Sequence, residues 1–188
     1  AVDDMRPDLG AYNFSLAHTP NMDSLARQGV TFKRAYIQMA YCSPSRNSFM
    51  SGRRPDTTQV WNHVNSFREV DVGPNWTSLP GYFRQHGYIT LGSGKVYHLG
   101  IPYDNDYAKS WSPEWPYFSP ECQPPRCPSS QKLPKPIQPA CLEREPTVCV
   151  ADLPANESRL EYQLEDMQIR DSCIKQLNIA KDSGKNFF

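Results

Sequence analysis

The sequence predicts an α/β fold built on a mixed, largely parallel sheet, and three observations carry that reading. Across residues 1–100, short runs rich in β-branched and aromatic residues alternate with stretches of helical periodicity. The helical stretches carry their own start and stop residues, Thr19-Pro20 and Gly29 forming the first such pair. Near the other end, a helical pattern leads into a new apolar run at Phe187-Phe188. Strands separated by helices pair in parallel, because a helical crossover carries the chain back to the end of the sheet where the preceding strand began.

Taken in order, Thr19 is placed to cap a helix with Pro20 at its first position, Met22, Leu25 and Ala26 on one face and Gly29 at its stop. Val30 to Tyr36 follows as a strand. A short helix begins after Pro44 and ends near Gly52, and another runs from Leu79 to His86 with Ser78 as cap and Gly87 as terminator. Tyr88-Ile89-Thr90-Leu91 reads as a buried strand. Between Pro102 and Pro154 the texture changes: twelve of the eighteen prolines fall there, among Trp111, Trp115, Tyr117 and Phe118. Proline at that density excludes a continuous helix or central strand. With so many aromatics and cysteines, residues 102–157 read as an ordered, stapled insertion rather than a linker. From Ser158 to Ala180, Leu160, Leu164, Met167, Ile174 and Leu177 recur at helical spacing. This helix is expected to cover the sheet and deliver the chain to a strand at Phe187. There is no internal repeat.

Twenty basic residues balance twenty acidic ones among 188, and the mean hydropathy is −0.66. That balance argues against a nucleic-acid partner or a membrane surface. No apolar run approaches the roughly 20 residues that span a bilayer. The chain opens on Ala1 without a charged or apolar leader and stops where an apolar run begins, so the expectation is a fragment of a larger domain, which the resemblance given below makes its incomplete N-terminal part. Six cysteines and three N-x-S/T sequons, at Asn13, Asn75 and Asn156, point to the secretory pathway. Cys122, Cys127, Cys141 and Cys149 allow three disulfide pairings. A zinc site using the same four is the alternative, although its second gap exceeds the usual ligand spacing.

The residues that bear chemistry are concentrated in three places. Asp3-Asp4 is either an exposed turn or, with both carboxylates turned onto one ion, a hard-oxygen site for Ca²⁺ or Mg²⁺. Gly92-Ser93-Gly94-Lys95-Val96-Tyr97-His98 follows the second strand and offers a point charge and an imidazole. Cys42-Ser43-Pro44-Ser45-Arg46, followed by Ser51-Gly52-Arg53, places a thiol at a helix start and a guanidinium one turn later. The free N–H groups of that turn favour an anion. His18, His63 and His86 read as structural or surface residues, and Asn62 to Phe67 as a candidate lining of the substrate opening.

The third segment resembles the C-x-P-x-R signature of the type I sulfatases, with Ser51 where their following Thr-Gly pair has threonine. The resemblance implies an alkaline-phosphatase-like fold. It also implies that Cys42 is oxidised by a formylglycine-generating enzyme to formylglycine, whose aldehyde hydrates to a gem-diol. One hydroxyl then attacks sulfur and displaces the alcohol oxygen. The other loses its proton, re-forms the aldehyde and expels sulfate, a second step that serine or an unmodified thiol lacks. Within the same resemblance, Asp3, Asp4 and residue 42 are metal ligands, with Ca²⁺ preferred over Mg²⁺, and Arg46 and Lys95 are catalytic. Lys95 and His98 are substrate-binding, His98 also being a candidate acid. Many sulfatases place this histidine two residues after the lysine, whereas here the gap is three.

Asp3-Asp4-Met5-Arg6-Pro7, Thr19-Pro20-Asn21, Ser51-Gly52-Arg53-Arg54-Pro55-Asp56-Thr57-Thr58, Lys95-Val96-Tyr97-His98 and Val150-Ala151-Asp152-Leu153-Pro154 are similar to the iduronate-2-sulfatase branch. By that analogy Cys141 pairs with Cys149. Cys122 and Cys127 are a local addition that can pair with each other, and Cys173 has no evident partner. The branch implies lysosomal residence and sulfated glycosaminoglycan substrates carrying iduronate 2-O-sulfate. Two other readings stay open: a phosphoester hydrolase with the same metal cradle, and a non-catalytic protein that captures sulfated glycans.

Overall fold

The computed structural model describes residues 2–98, 101–114, 117 and 165–188. Six α-helices are present among them: α1 (Pro20–Gln28), α2 (Cys42–Ser51), α3 (Pro55–Thr58), α4 (Leu79–Gln85), α5 (Tyr107–Ser110) and α6 (Glu165–Ser183). The chain divides into two compact units. The first is Ala1–Leu79 with Lys95–Asn105, and the second is Pro80–Gly94 with Asp106–Phe188.

In the first unit the core is built around α2. Its helix ends at Gly52, whose φ of 68° is the left-handed conformation that glycine adopts without penalty. Met50, Val60, Phe67 and Tyr97 are buried. Asn47, fully buried, joins the helix to the segment before α4: Nδ2 donates to Ser43 O at 2.8 Å and Oδ1 accepts from Phe67 N at 2.9 Å. Helix α1 starts and stops at the expected residues, and Thr19 Oγ1 donates to Asp23 Oδ1 at 3.0 Å while accepting from Gly10 N at 3.0 Å.

Val30 to Tyr36 does not form the expected strand. The segment is irregular, with Val30, Phe32 and Tyr36 69–82% exposed. A strand exists only through its ladder, and this segment has no pairing partner among the described residues.

The second unit contains the parallel pairing that the sequence leads one to expect, reduced to a single bridge between Ile89 and Phe187. Ile89 N donates to Asn186 O at 2.9 Å, Phe188 N to Ile89 O at 2.8 Å and Leu91 N to Phe188 O at 3.0 Å. On the other side, Thr90 N donates to Ser112 Oγ and Ser112 N donates to Thr90 O, each at 3.0 Å. Phe83 of α4 stacks on Phe188 at 4.2 Å. Among the described residues no longer strand occurs.

Helix α6 delivers the chain to Phe187 as expected, and Met167 of its apolar stripe is buried, but further along a different face turns inward. Ile174 and Leu177 are 52% and 56% exposed, whereas Gln176 and Ala180 are buried. The reason lies in what the helix packs against. The Gly92–Gly94 loop presents a carbonyl and a hydroxyl, so Gln176 Nε2 donates to Gly92 O at 3.0 Å and Ser172 Oγ meets Ser93 Oγ at 2.9 Å. Ile169 lies against Gly94 on the same side, so the loop meets a mixed face of the helix on which its polar groups find partners. Leu160, Leu164 and the cysteines from Cys122 to Cys149 lie outside the described residues, as does most of the 102–157 insertion. No helix of the described residues is long and apolar enough to cross a membrane.

Candidate functional site

Helix α2 begins at Cys42, two residues before Pro44, so the start expected after the proline is corrected. First-turn N–H groups have no intrahelical acceptor, and a proline there removes nothing the helix uses. Tyr41 is the N-cap, extended at φ −152° and ψ 133°, with no side-chain cap, and its carbonyl accepts from Ser45 N at 3.1 Å. Cys42 is thereby held on the first turn, half-buried, while Ser43 and Pro44 behind it are buried.

One turn further on, Arg46 is buried and reaches back past Cys42. Its Nη2 donates to Asp3 Oδ1 at 2.8 Å, and Nη1 donates to the carbonyls of Val96, at 3.0 Å, and Lys95. Lys95 Nζ donates to Asp3 Oδ2 at 2.6 Å and approaches Cys42 Sγ at 3.6 Å. Cys42 Sγ also lies 3.6 Å from Asp3 Oδ1. Both oxygens of Asp3 are therefore engaged by cations. Partial burial on its own raises the pKa of Asp3, but the hydrogen bonds and charges of Lys95 and Arg46 outweigh it and lower the value from 3.8 to about 2.

Asp4 completes the group by a backbone device. Its φ of 49° lies in the left-handed region, which aspartate tolerates better than most residues. The resulting turn brings one ligating atom each from Asp3, Asp4 and Cys42 within 4.8 Å of one another. Two carboxylates are hard donors suited to Ca²⁺ or Mg²⁺, whereas a thiol is a soft one. The donor set therefore fits a hard cation when residue 42 presents oxygen. Calcium takes about six to eight oxygens, so three positions furnish part of a shell.

His98 joins the site by a different route. Its ring stacks on His63 at 4.2 Å, and His63 stacks on Tyr41 at 4.1 Å. Asp3, Asp4, Cys42, Arg46 and Lys95 thus converge directly, and His98 through rings. His63, read from sequence as structural or surface, sits in the middle of that stack. A lone histidine in a polar loop carries no periodic or motif signal that marks such a position. Within Asn62 to Phe67, Ser66 and Phe67 are buried in the core and do not line an opening. Cys173 is a free thiol, as is Cys42.

Comparison with known proteins places this geometry in context. A family model described as Sulfatase matches residues 1–188. Iduronate 2-sulfatase of Mus musculus is 39% identical over the whole chain, which covers 32% of that protein. Iduronate 2-sulfatase of Homo sapiens is 44% identical over 70% of the chain and 22% of its own length. Arylsulfatase G of Mus musculus is 33% identical over 67% of the chain and 26% of its own length. The chain thus spans about a third or less of the length of these relatives.

Proposed function

The chain belongs to the sulfatase family, and from that premise we propose that it is the N-terminal part of a sulfuric-ester hydrolase whose nucleophile is residue 42 in its formylglycine form. One observation carries the reading: the 3.6 Å approach of Lys95 Nζ to Cys42 Sγ, with Asp3 bound to both Lys95 and Arg46. The nucleophile position, two cations and an ionised carboxylate occupy one small volume at a helix N-terminus. That arrangement suits an anionic ester.

In this reading Arg46 holds Asp3 in place from the buried side and fixes the backbone at Lys95 and Val96. Lys95 is the mobile charge, able to pass from Asp3 to a sulfate oxygen. Asp3, Asp4 and residue 42 hold Ca²⁺ in preference to Mg²⁺, because a turn of exposed carboxylates suits the more adaptable shell of calcium. When bound, the metal polarises a sulfate oxygen. His98 faces the substrate and is the candidate proton donor to the leaving alcohol.

The finer proposals rest on the similarity to proteins named iduronate 2-sulfatase. They are an alkaline-phosphatase-like fold in which Tyr88–Leu91 and the Phe187 segment are neighbouring parallel strands, with 102–157 an insertion in it. They extend to 2-O-sulfated iduronate units of heparan and dermatan sulfate as substrate, maturation by a formylglycine-generating enzyme, glycans on the sequons, the Cys141–Cys149 disulfide and lysosomal residence or secretion. Mass spectrometry of the tryptic peptide 35–46 from the complete protein, expressed in eukaryotic cells, tests the centre of the reading. An aldehyde in place of the thiol is expected, and an intact thiol in active protein overturns it. A panel of an iduronate 2-O-sulfate disaccharide, an aryl sulfate and a phosphate ester tests the substrate, the first being the one cleaved.

A further inference from the structure

Three aromatic rings stand in file beside Cys42. Tyr41, the residue immediately before it, lies face to face with His63, at a centroid distance of 4.1 Å and an interplanar angle of 13°. The opposite face of His63 meets His98 at 4.2 Å and 25°. Both faces of His63 are therefore occupied, one by the cap of α2 and the other by the segment that carries Lys95.

Arg46 already fixes the backbone of that segment at Lys95 and Val96. Holding the backbone does not by itself set the rotation of the His98 imidazole, and a proton donor or substrate contact acts only in one orientation. A ring stacked on one face restricts that rotation. His63 Nε2 is buried without a hydrogen-bond partner. A buried ring nitrogen left without a partner is unfavourable, so the faces of the ring, rather than this nitrogen, carry its interaction.

We propose that His63 is a positioning residue for His98, the middle ring of a stack that orients the imidazole relative to the segment bearing residue 42. The proposal rests on the reading of His98 as a substrate-side group. The test compares kcat and KM for a sulfate ester with an alcohol leaving group in the complete protein and in His63→Ala, His63→Phe, His98→Ala and the His63→Ala/His98→Ala pair. His63→Ala is expected to lower kcat on the order of 10- to 100-fold, the scale of a misplaced catalytic group, with KM changed less. His63→Phe keeps a flat ring in the stack and recovers most of that loss. Because His63 acts through His98, the double variant is no slower than His98→Ala alone.

A double variant slowed by the product of the two single effects overturns the proposal, as does a His63→Ala that matches wild type or a His63→Phe as impaired as His63→Ala. If His98→Ala retains full activity while Cys42→Ala loses it, the nucleophile reading stands and this proposal falls. Activity that survives Cys42→Ala removes both.

Discussion

Arg46 and Asp3 meet at 2.8 Å across a steep gradient of exposure, the arginine side chain 5% accessible and the aspartate 38%. The buried partner anchors and the exposed partner serves. Arginine suits the first role because its planar fork donates at once to a carboxylate and to the Val96 and Lys95 carbonyls. Arg46→Ala leaves those carbonyls without their donor and Asp3 without its orientation. We expect a stability loss of about 1–3 kcal/mol, the usual penalty for stranding buried polar groups. The accompanying fall in kcat/KM is expected to be about 100-fold or more. Arg46→Lys keeps the charge but not the fork, and should recover stability in part and turnover little. Urea unfolding and steady-state kinetics on the complete protein check both.

The same pair makes a pH prediction. The carboxyl of Asp3 is lowered to about 2, so it stays ionised well into the acidic range. A depressed carboxylate stabilises the fold fully above its ordinary pKa, and the contribution fades as pH falls through the folded value. The stability difference between wild type and Asp3→Asn should therefore be constant above about pH 4 and shrink between about pH 4 and 2. Solvent screening at this partly exposed position keeps it near 1 kcal/mol or below. Urea midpoints across that range, measured with chelator so that no cation intervenes, test it. A difference that instead vanishes between pH 5 and 7 would contradict the pairing.

Much of the site was legible because its signals are local. The presence of α2, though not its start at Cys42, the Gly52 stop and the Lys95 segment are read from neighbouring residues, and the turn at Asp3-Asp4 from the residue types it contains. What was not legible depends on partners distant in sequence. Val30 to Tyr36 has strand composition, yet composition supplies no ladder. The apolar stripe of α6 predicted burial at Met167, which is buried, and at Ile174 and Leu177, which are not; Gln176 and Ser172 instead meet the polar groups of Gly92 and Ser93. His63 sits opposite Tyr41 and His98 for reasons that lie in the path of the chain, which no periodicity encodes.

Asn47 is the clearest test of how α2 is held. Its amide is fully buried and spans from Ser43 O to Phe67 N, so it fastens the first turn of α2 to a core loop. Asn47→Leu conserves volume but leaves the Phe67 N–H unsatisfied. It should cost about 1–3 kcal/mol by urea unfolding. Because the anchored turn carries Cys42, turnover should fall as well in protein that remains folded.

Asp4 separates metal binding from folding. Its carboxylate is exposed, and its left-handed backbone is as acceptable to asparagine as to aspartate. Asp4→Asn should therefore leave metal-free stability within about 0.5 kcal/mol of wild type. Cation affinity should respond differently, because a hard cation follows the number of charged oxygens around it. In the complete protein, adding Ca²⁺ should raise the unfolding temperature, with about 2.7 kcal/mol gained once calcium reaches a hundred times its Kd. Asp4→Asn should need roughly tenfold or more calcium for the same rise. Chelation should abolish sulfatase activity in wild type, and calcium should restore it. A calcium response unchanged in Asp4→Asn would remove Asp4 from the ligand set while leaving the Asp3–Arg46–Lys95 cluster as described.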